Sequence, residues 1–416
     1  RGPVADETCG NPGGPGCAAR AHAWPCARGR PGQYSVTNLT GPADVSRPSY
    51  SWFPGRTRFS SMVLCGPLID DQKHLYVTGT DGVYKLSTDG RLLWHHSCGR
   101  GAHFDCPSLS PNGLLFGVCG GSGEIFALDV ETGMPVWTVH YYEGSSDTAY
   151  VENHDGVVVL VQEKWNTRVV AVRASDGGKI WDFKTDWGCW NFMAVFPGDD
   201  TVLFQDYESK VYRVGLHNGT LLWKAGGGHV LDKGWSDGGA MIGPNGLVYA
   251  ASSKGQIFNH HPTVGGGVHA YRIDTGELVW QKHLQRPFFT WPAVGKLPGR
   301  EGQSVIVAIG ANAYPPWKET LYYNVKLVHT ERLAHCAAFV FLVVQTLYCR
   351  TSWGGCRWLT LRFAIALAVA LCPAVVAAWI YAEGGGKHPI ATFEAEIYAY
   401  DADTGEQQWV HHLPSW

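Results

Sequence analysis

Residues 125–137 read IFALDVETGMPVW, and the pattern they set recurs in VYKLSTDGRLLW (83–94), VVAVRASDGGKIW (169–181), VYRVGLHNGTLLW (211–223), VHAYRIDTGELVW (268–280) and IYAYDADTGEQQW (397–409). Every copy ends in Trp and carries Gly four residues earlier: Gly90 and Trp94, Gly133 and Trp137, Gly177 and Trp181, Gly219 and Trp223, Gly276 and Trp280, Gly405 and Trp409. The alternation before the Gly is that of a strand. An Asp-Gly, Asn-Gly or Thr-Gly step then supplies a turn in which a positive φ costs Gly little. Each copy is expected to be a hairpin.

Upstream of each hairpin lies another β-rich run bounded by turn residues, such as 74–78, 114–117, 157–162, 201–205 and 247–251, with a further run before it. The unit therefore holds four strands. Counting from Trp52, the Trp residues that close the repeats are 42, 43, 44, 42 and 57 residues apart, and four strands in about 40–45 residues is the period of a propeller blade. The expected fold is all-β, a β-propeller of four-stranded blades, six of them recognisable and seven or eight in the full chain. Residues 49–53 (SYSWF) are expected to supply the closing strand of the last blade and remove a free sheet edge. The other strands of that blade would follow Trp416, so the chain reads as a fragment.

The last interval, Trp280 to Trp409, is 129 residues, and it contains two long apolar runs, 333–349 and 363–382, with no hairpin signal between 333 and 382. The chain thus divides into a Gly/Pro/Cys-rich tail (1–48), propeller blades (49–325), an apolar insertion in blade six expected to be helical (326–387), and the end of blade six (388–416). The second run is 20 residues without a charge, long enough to cross a hydrocarbon core of about 30 Å as a helix. A membrane hairpin through 333–382, a helical pair packed on the propeller, and a retained intron or faulty gene model all fit such a block. It falls between the second and third strands of blade six. The 14-residue excess of blade five falls between the same two strands (252–267), so both insertions are expected on one face.

Composition narrows the partners. With 33 basic and 36 acidic residues, net −3, the chain has no excess of cations to neutralise phosphates, so no nucleic acid is expected. Charged residues are 17%, against about 25% in average domains, and 52 glycines fit many tight turns and few solvated helices.

The unit Ala-x-Asp-x-x-Thr-Gly-x-x-x-Trp, clearest at 127–137 and 399–409, resembles the repeat of the quinoprotein, or pyrroloquinoline-quinone (PQQ) dehydrogenase-like, propellers. The resemblance implies that the six Trp residues dock each blade on its neighbour. That family holds both dehydrogenases and non-catalytic members, including the bacterial outer-membrane assembly scaffold, so activity must be argued from a site. GANAYPPW (310–317) resembles the Gly-Asn-x-x-Pro-Trp stretch of quinoprotein alcohol dehydrogenases, which makes Asn312 the candidate ligand of a calcium ion beside the quinone. One extra residue lies on each side of Asn312. An adjacent Cys-Cys pair and a Cys-x-x-Cys-His haem motif are absent from the sequence.

The reading is a binding or scaffold platform, with no catalytic residue, metal or cofactor expected, and with a protein or small-molecule ligand on the face of the blade-five and blade-six loops. The alternatives are a PQQ- and calcium-dependent alcohol or sugar dehydrogenase, and a membrane-tethered lumenal sensor. Asn259, His260, His261 and His269 have no known metal-ligand spacing. Trp187, Trp190, Trp235 and Trp291 read as core, with a ligand funnel as the other reading. Cys9, Cys17, Cys26, Cys98, Cys106 and Cys119 are candidates for disulfides, and Asn38 and Asn218 for glycosylation; both point to a secretory lumen or the extracellular space.

Overall fold

The computed structural model describes residues 20–27, 29, 52, 65–79, 81–98, 106–143, 150–162, 167–189, 193–196, 198–226, 234–235, 239–254, 265–285, 288, 291–310 and 395–413. Every regular element among them is a strand. Blade one is β1 (Leu68–Ile69), β2 (Leu75–Gly79), β3 (Gly82–Leu86) and β4 (Leu92–Ser97); blade two is β5 (Ser108–Leu109), β6 (Leu114–Cys119), β7 (Glu124–Asp129) and β8 (Pro135–His140). Blade three is β9 (Val151–His154), β10 (Val157–Gln162), β11 (Arg168–Arg173) and β12 (Lys179–Lys184), and blade four is β13 (Met193–Phe196), β14 (Thr201–Gln205), β15 (Val211–Gly215) and β16 (Leu221–Ala225). Blade five holds β17 (Gly234–Trp235), β18 (Met241–Ile242), β19 (Leu247–Lys254), β20 (Gly266–Arg272) and β21 (Leu278–Leu284); blade six holds β22 (Ala293–Lys296), β23 (Gln303–Ile309), β24 (Ala395–Asp401) and β25 (Gln407–Leu413).

Each sheet is an antiparallel meander in chain order, as short turns between successive strands require. Blade five departs from the four-strand expectation, because its inner position is shared by β17 and β18, both paired to β19. Burial orders each sheet from inside to outside. The second and third strands are almost wholly buried, as LLFGVC in β6 and VVVLVQ in β10 are, whereas the fourth strands β4 and β8 are mostly exposed. Apolar residues on both faces of the middle strands are what packing between two neighbouring sheets demands.

Five apolar clusters join the six sheets in sequence. Leu68 and Tyr76 meet Leu115 and Phe126 between blades one and two. Phe116 and Ile125 meet Val158 and Val170 between blades two and three, and Val159 and Ala171 meet Phe204 and Tyr212 between three and four. Leu203 and Val211 meet Val248 and Tyr271, and Tyr249 and Val268 meet Val305 and Tyr400, at the last two junctions. The result is a propeller arc, each blade a wedge against the next.

All six expected hairpins form, and Gly90, Gly133, Gly177, Gly219, Gly276 and Gly405 have φ between +65° and +81°. In each, the register shifts by one residue just after the position that faces the Trp, for example between Ala127 and Leu128 and between Ala399 and Tyr400. This bulge fits an extra turn residue into the fourth strand.

The tail expected over 1–48 is in part built into the fold: Trp24, Pro25 and Cys26 pair with the inner strands of blades one and two, and Gly29 pairs back with Cys26. Of the closing strand expected over 49–53 only Trp52 is described, its ring edge-on to Tyr84 at 5.0 Å. The insertion 326–387 lies outside the described residues, among which no helix is long and apolar enough to cross a membrane.

Candidate functional site

Two ends of the arc must be distinguished. At the turn end lie the Gly turns between third and fourth strands. At the loop end, second strands pass to third strands and each outer strand passes to the next blade.

At the turn end the repeat builds a joint between blades. Indole N–H groups of Trp94, Trp137, Trp181, Trp223 and Trp280 donate to the carbonyls of Val130, Ala174, Leu216, Ile273 and Ala402, at 2.7–3.0 Å. Each acceptor stands three residues before the next blade's turn glycine. That glycine lies flat against the indole: a Cβ on Gly133 would come within 2.5 Å of Trp94, and one on Gly219 within 2.7 Å of Trp181. The glycines are thus needed twice, for their φ and for the approach of the ring. Trp181, Trp223 and Trp280 are buried and Trp94, Trp137 and Trp409 half-buried.

A second donor joins two of these carbonyls. Opposite the Trp, four blades place Ala127, Ala171, Ala270 or Ala399, but blade one places Lys85 and blade four Arg213. Lys85 Nζ donates to the Val130 carbonyl at 2.8 Å and lies 3.6 Å from Asp70 and 3.5 Å from Glu131. Arg213 donates to the Ile273 carbonyl and pairs with Asp199. Both cations are buried, and both have the anionic and carbonyl partners that such burial requires.

Blades one and two are also covalently tied at the loop end. Cys65 pairs with Cys106 (Cα–Cα 5.5 Å), and Cys98 with Cys119 (5.7 Å). Three of these four were sequence candidates. Cys65 was not, because nothing in its local sequence marks it.

On the inner side of blades two and three a cavity of about 570 Å³ is lined by Arg20, His22, Ser110, Asn112, Asn153 and His154, among others. The Asn153 amide donates to the Ser108 hydroxyl (2.9 Å) and the Leu109 carbonyl (3.1 Å), which fixes its orientation.

The loop end presents aromatic surface. Trp187, expected in the core, is 52% exposed, and Trp291 is 36% exposed. The reason is position: both stand in connections between an outer strand and the next blade. The Trp187 loop is held in place, since the Thr185 hydroxyl donates to the Trp187 carbonyl (2.5 Å) and the Tyr207 N–H to the Gly188 carbonyl (2.9 Å). Asp186 accepts from Lys224 (2.9 Å) and pairs with Lys210 (3.0 Å), and the Lys224 bond is the main cause that holds its carboxyl below the usual range. Trp190 lies outside the described residues, and Trp235 sits in β17.

Two other buried groups titrate away from their ordinary range, one beside this loop and one in blade five. Burial pushes Asp206 up to about 6, although the Tyr212 hydroxyl (2.7 Å) and the Lys210 N–H (3.0 Å) donate to it. Burial pushes His269 down to about 4, so this imidazole is neutral at physiological pH. His260, His261 and Asn312 lie outside the described residues, and among the described residues no group of three or more His, Cys, Asp or Glu is placed to hold a metal ion.

Residues 79–226 match the profile of the family described as outer membrane protein assembly factor BamB. The six antiparallel blades define the class, an all-β propeller, and within it residues 79–226 carry PQQ-like repeats similar to those of that family. No curated protein sequence matches the chain significantly. Among solved structures it is similar to BamB from Moraxella catarrhalis, with 13% identity, 82% of this chain and 74% of that chain covered, and a TM-score of 0.47. It is similar also to a quinohemoprotein alcohol dehydrogenase from Pseudomonas putida (12% identity, 62% and 72% covered, TM-score 0.36) and to a europium-containing methanol dehydrogenase (12%, 61% and 74%, 0.40). Likeness at this level says nothing about activity.

Proposed function

We propose that the chain is a rigid binding platform whose loop end takes a protein partner. The observation that carries this reading is the pair of solvent-exposed tryptophans, Trp187 and Trp291, at the end of the sheets where blades five and six carry their extra residues. Large rigid aromatics contribute much contact area at little entropic cost, which is why they dominate protein-binding hot spots. The match of residues 79–226 to an assembly-factor profile favours the same reading.

The indole–glycine–carbonyl joints serve as docking contacts between blades, and they keep the loop end in one shape. The disulfides support a secretory or extracellular location, because such bonds persist in oxidising compartments. Asn218, exposed in the β15–β16 turn, is the candidate glycosylation site there, and residues 333–382 are the candidate membrane hairpin.

The test is cross-linking in the secretory pathway of the native cell. Adducts formed by the native chain should be lost in a Trp187→Ser, Trp291→Ser variant and kept in a Leu92→Ser, Leu222→Ser variant, altered only on exposed outer-strand positions. Adducts indifferent to the tryptophan changes would refute a loop-end site.

A further inference from the structure

Residues 20–27 run along the inner edges of two blades at once, bridging β1 at Trp24 and β5 at Cys26. Trp24 exchanges both backbone bonds with Ile69 of β1, each 2.9 Å. The next residue turns its carbonyl the other way, as alternate residues of a strand do, and Pro25 accepts from Leu109 N–H of β5 at 2.7 Å. Proline has no N–H to leave unsatisfied at this position. Arg20 N–H donates to the Pro111 carbonyl at 2.8 Å. Beyond Cys26 the chain doubles back, with Cys26 and Gly29 exchanging bonds of 3.0 Å, so the paired stretch is short and bounded.

Side chains add a polar anchor at the turn end. Arg20 donates to Glu131 at 2.7 Å and lies 3.9 Å from Asp71. The His22 ring donates through Nε2 to the Ser110 carbonyl at 2.8 Å, and its Nδ1 is 3.3 Å from Asp71. The inner strands that receive this segment, β1 and β5, have two residues each, whereas β9, β13 and β22 have four. Blades one and two are also tied to each other by two disulfides, Cys65–Cys106 and Cys98–Cys119, a link that does not run through residues 20–27.

We infer that the inner edges of β1 and β5 form an acceptor groove for an extended peptide, and that residues 20–27 fill it as an internal competitor. The partner that fits is a protein segment with a proline where the backbone faces β5 and a cation five residues before it, opposite Asp71 and Glu131. Recognition is by strand addition, with backbone bonds for affinity and the two carboxylates for direction. The platform reading supplies only the reason a partner would use the groove; the exchange itself does not depend on it.

The test uses the full chain with a specific protease site inserted between residues 30 and 48, cut after folding. A fluorescent peptide of residues 18–29, with Ser for Cys26, should exchange saturably into the cut protein and bind the uncut protein at least tenfold more weakly. A peptide with Arg20→Glu should bind at least tenfold more weakly than the parent. Three results overturn the inference: a cut strand that never exchanges, equal uptake by cut and uncut chain, and loss of the β-sheet circular dichroism signal when the strand leaves. None of these affects the cross-linking test of the loop end, and failure of that test leaves the exchange result standing.

Discussion

The joint between blades predicts a specific non-additivity at Gly219. Its φ is +65°, and a Cβ would meet ring atoms of Trp181 at 2.7, 2.9 and 3.0 Å. Gly156 in the β9–β10 turn is the internal control, with φ +74° and nothing within 4 Å of an added Cβ. Placing an L residue in the left-handed region costs about 1–2 kcal/mol, so Gly156→Ala should lose that amount alone. Gly219→Ala should lose the same plus about 1–3 kcal/mol of overpacking against a ring held by its bond to Leu216. Trp181→Ala by itself should cost about 3–5 kcal/mol, the scale of a large core aromatic. In the Trp181→Ala background the clash is gone, and Gly219→Ala should fall back to about 1–2 kcal/mol. The assay is urea unfolding of the four cycle members and the Gly156 control, followed by circular dichroism and fluorescence with coincident transitions required. Equal costs at Gly219 and Gly156, or a coupling below about 0.5 kcal/mol, would refute the joint.

Further perturbations follow from other contacts. Replacing Cys65 and Cys106 by Ser should lower the unfolding free energy by about 2–4 kcal/mol, read by the same denaturation assay; no change would mean the bond does not constrain blades one and two. Asp206 has its folded pKa raised to about 6, so its neutral form is favoured by folding, and the stability it supplies is present below the unfolded pKa and lost as pH rises through 6. Asp206→Asn should remove that loss, on the order of 2–3 kcal/mol between pH 4 and 7, and parallel pH–stability curves for the two proteins would contradict it. His269, held neutral down to about pH 4, works in the opposite direction. Its stability is present above the unfolded pKa near 6.5 and lost as pH falls towards 4. An NMR titration should place its midpoint well below the ordinary imidazole value, and a midpoint near 6.5 would refute its burial.

The blades were legible because their signal repeats. The strands expected at 157–162 and 201–205 are β10 and β14 residue for residue, since apolar runs bounded by turn residues leave little freedom at either end. The segment at 20–27 was not legible. It pairs through its backbone, one or two residues per edge, and leaves no side-chain period in a segment rich in Gly, Pro and Cys. Lys85 and Arg213 were visible in the alignment as departures from Ala opposite Trp, but their burial depends on Asp70, Glu131 and Asp199, which are remote in sequence or lie across a hairpin. Trp187 and Trp291 misled because size alone suggests a core, while their place between blades puts them in solvent.

The central claim, a binding platform built from PQQ-like repeats, is tested most directly by turnover. The full chain, incubated with PQQ and calcium and supplied with a panel of alcohols and sugars, should reduce an artificial electron acceptor no faster than its heat-denatured control. Saturable turnover that depends on added quinone and is abolished by Asn312→Ala would contradict the account and establish a dehydrogenase.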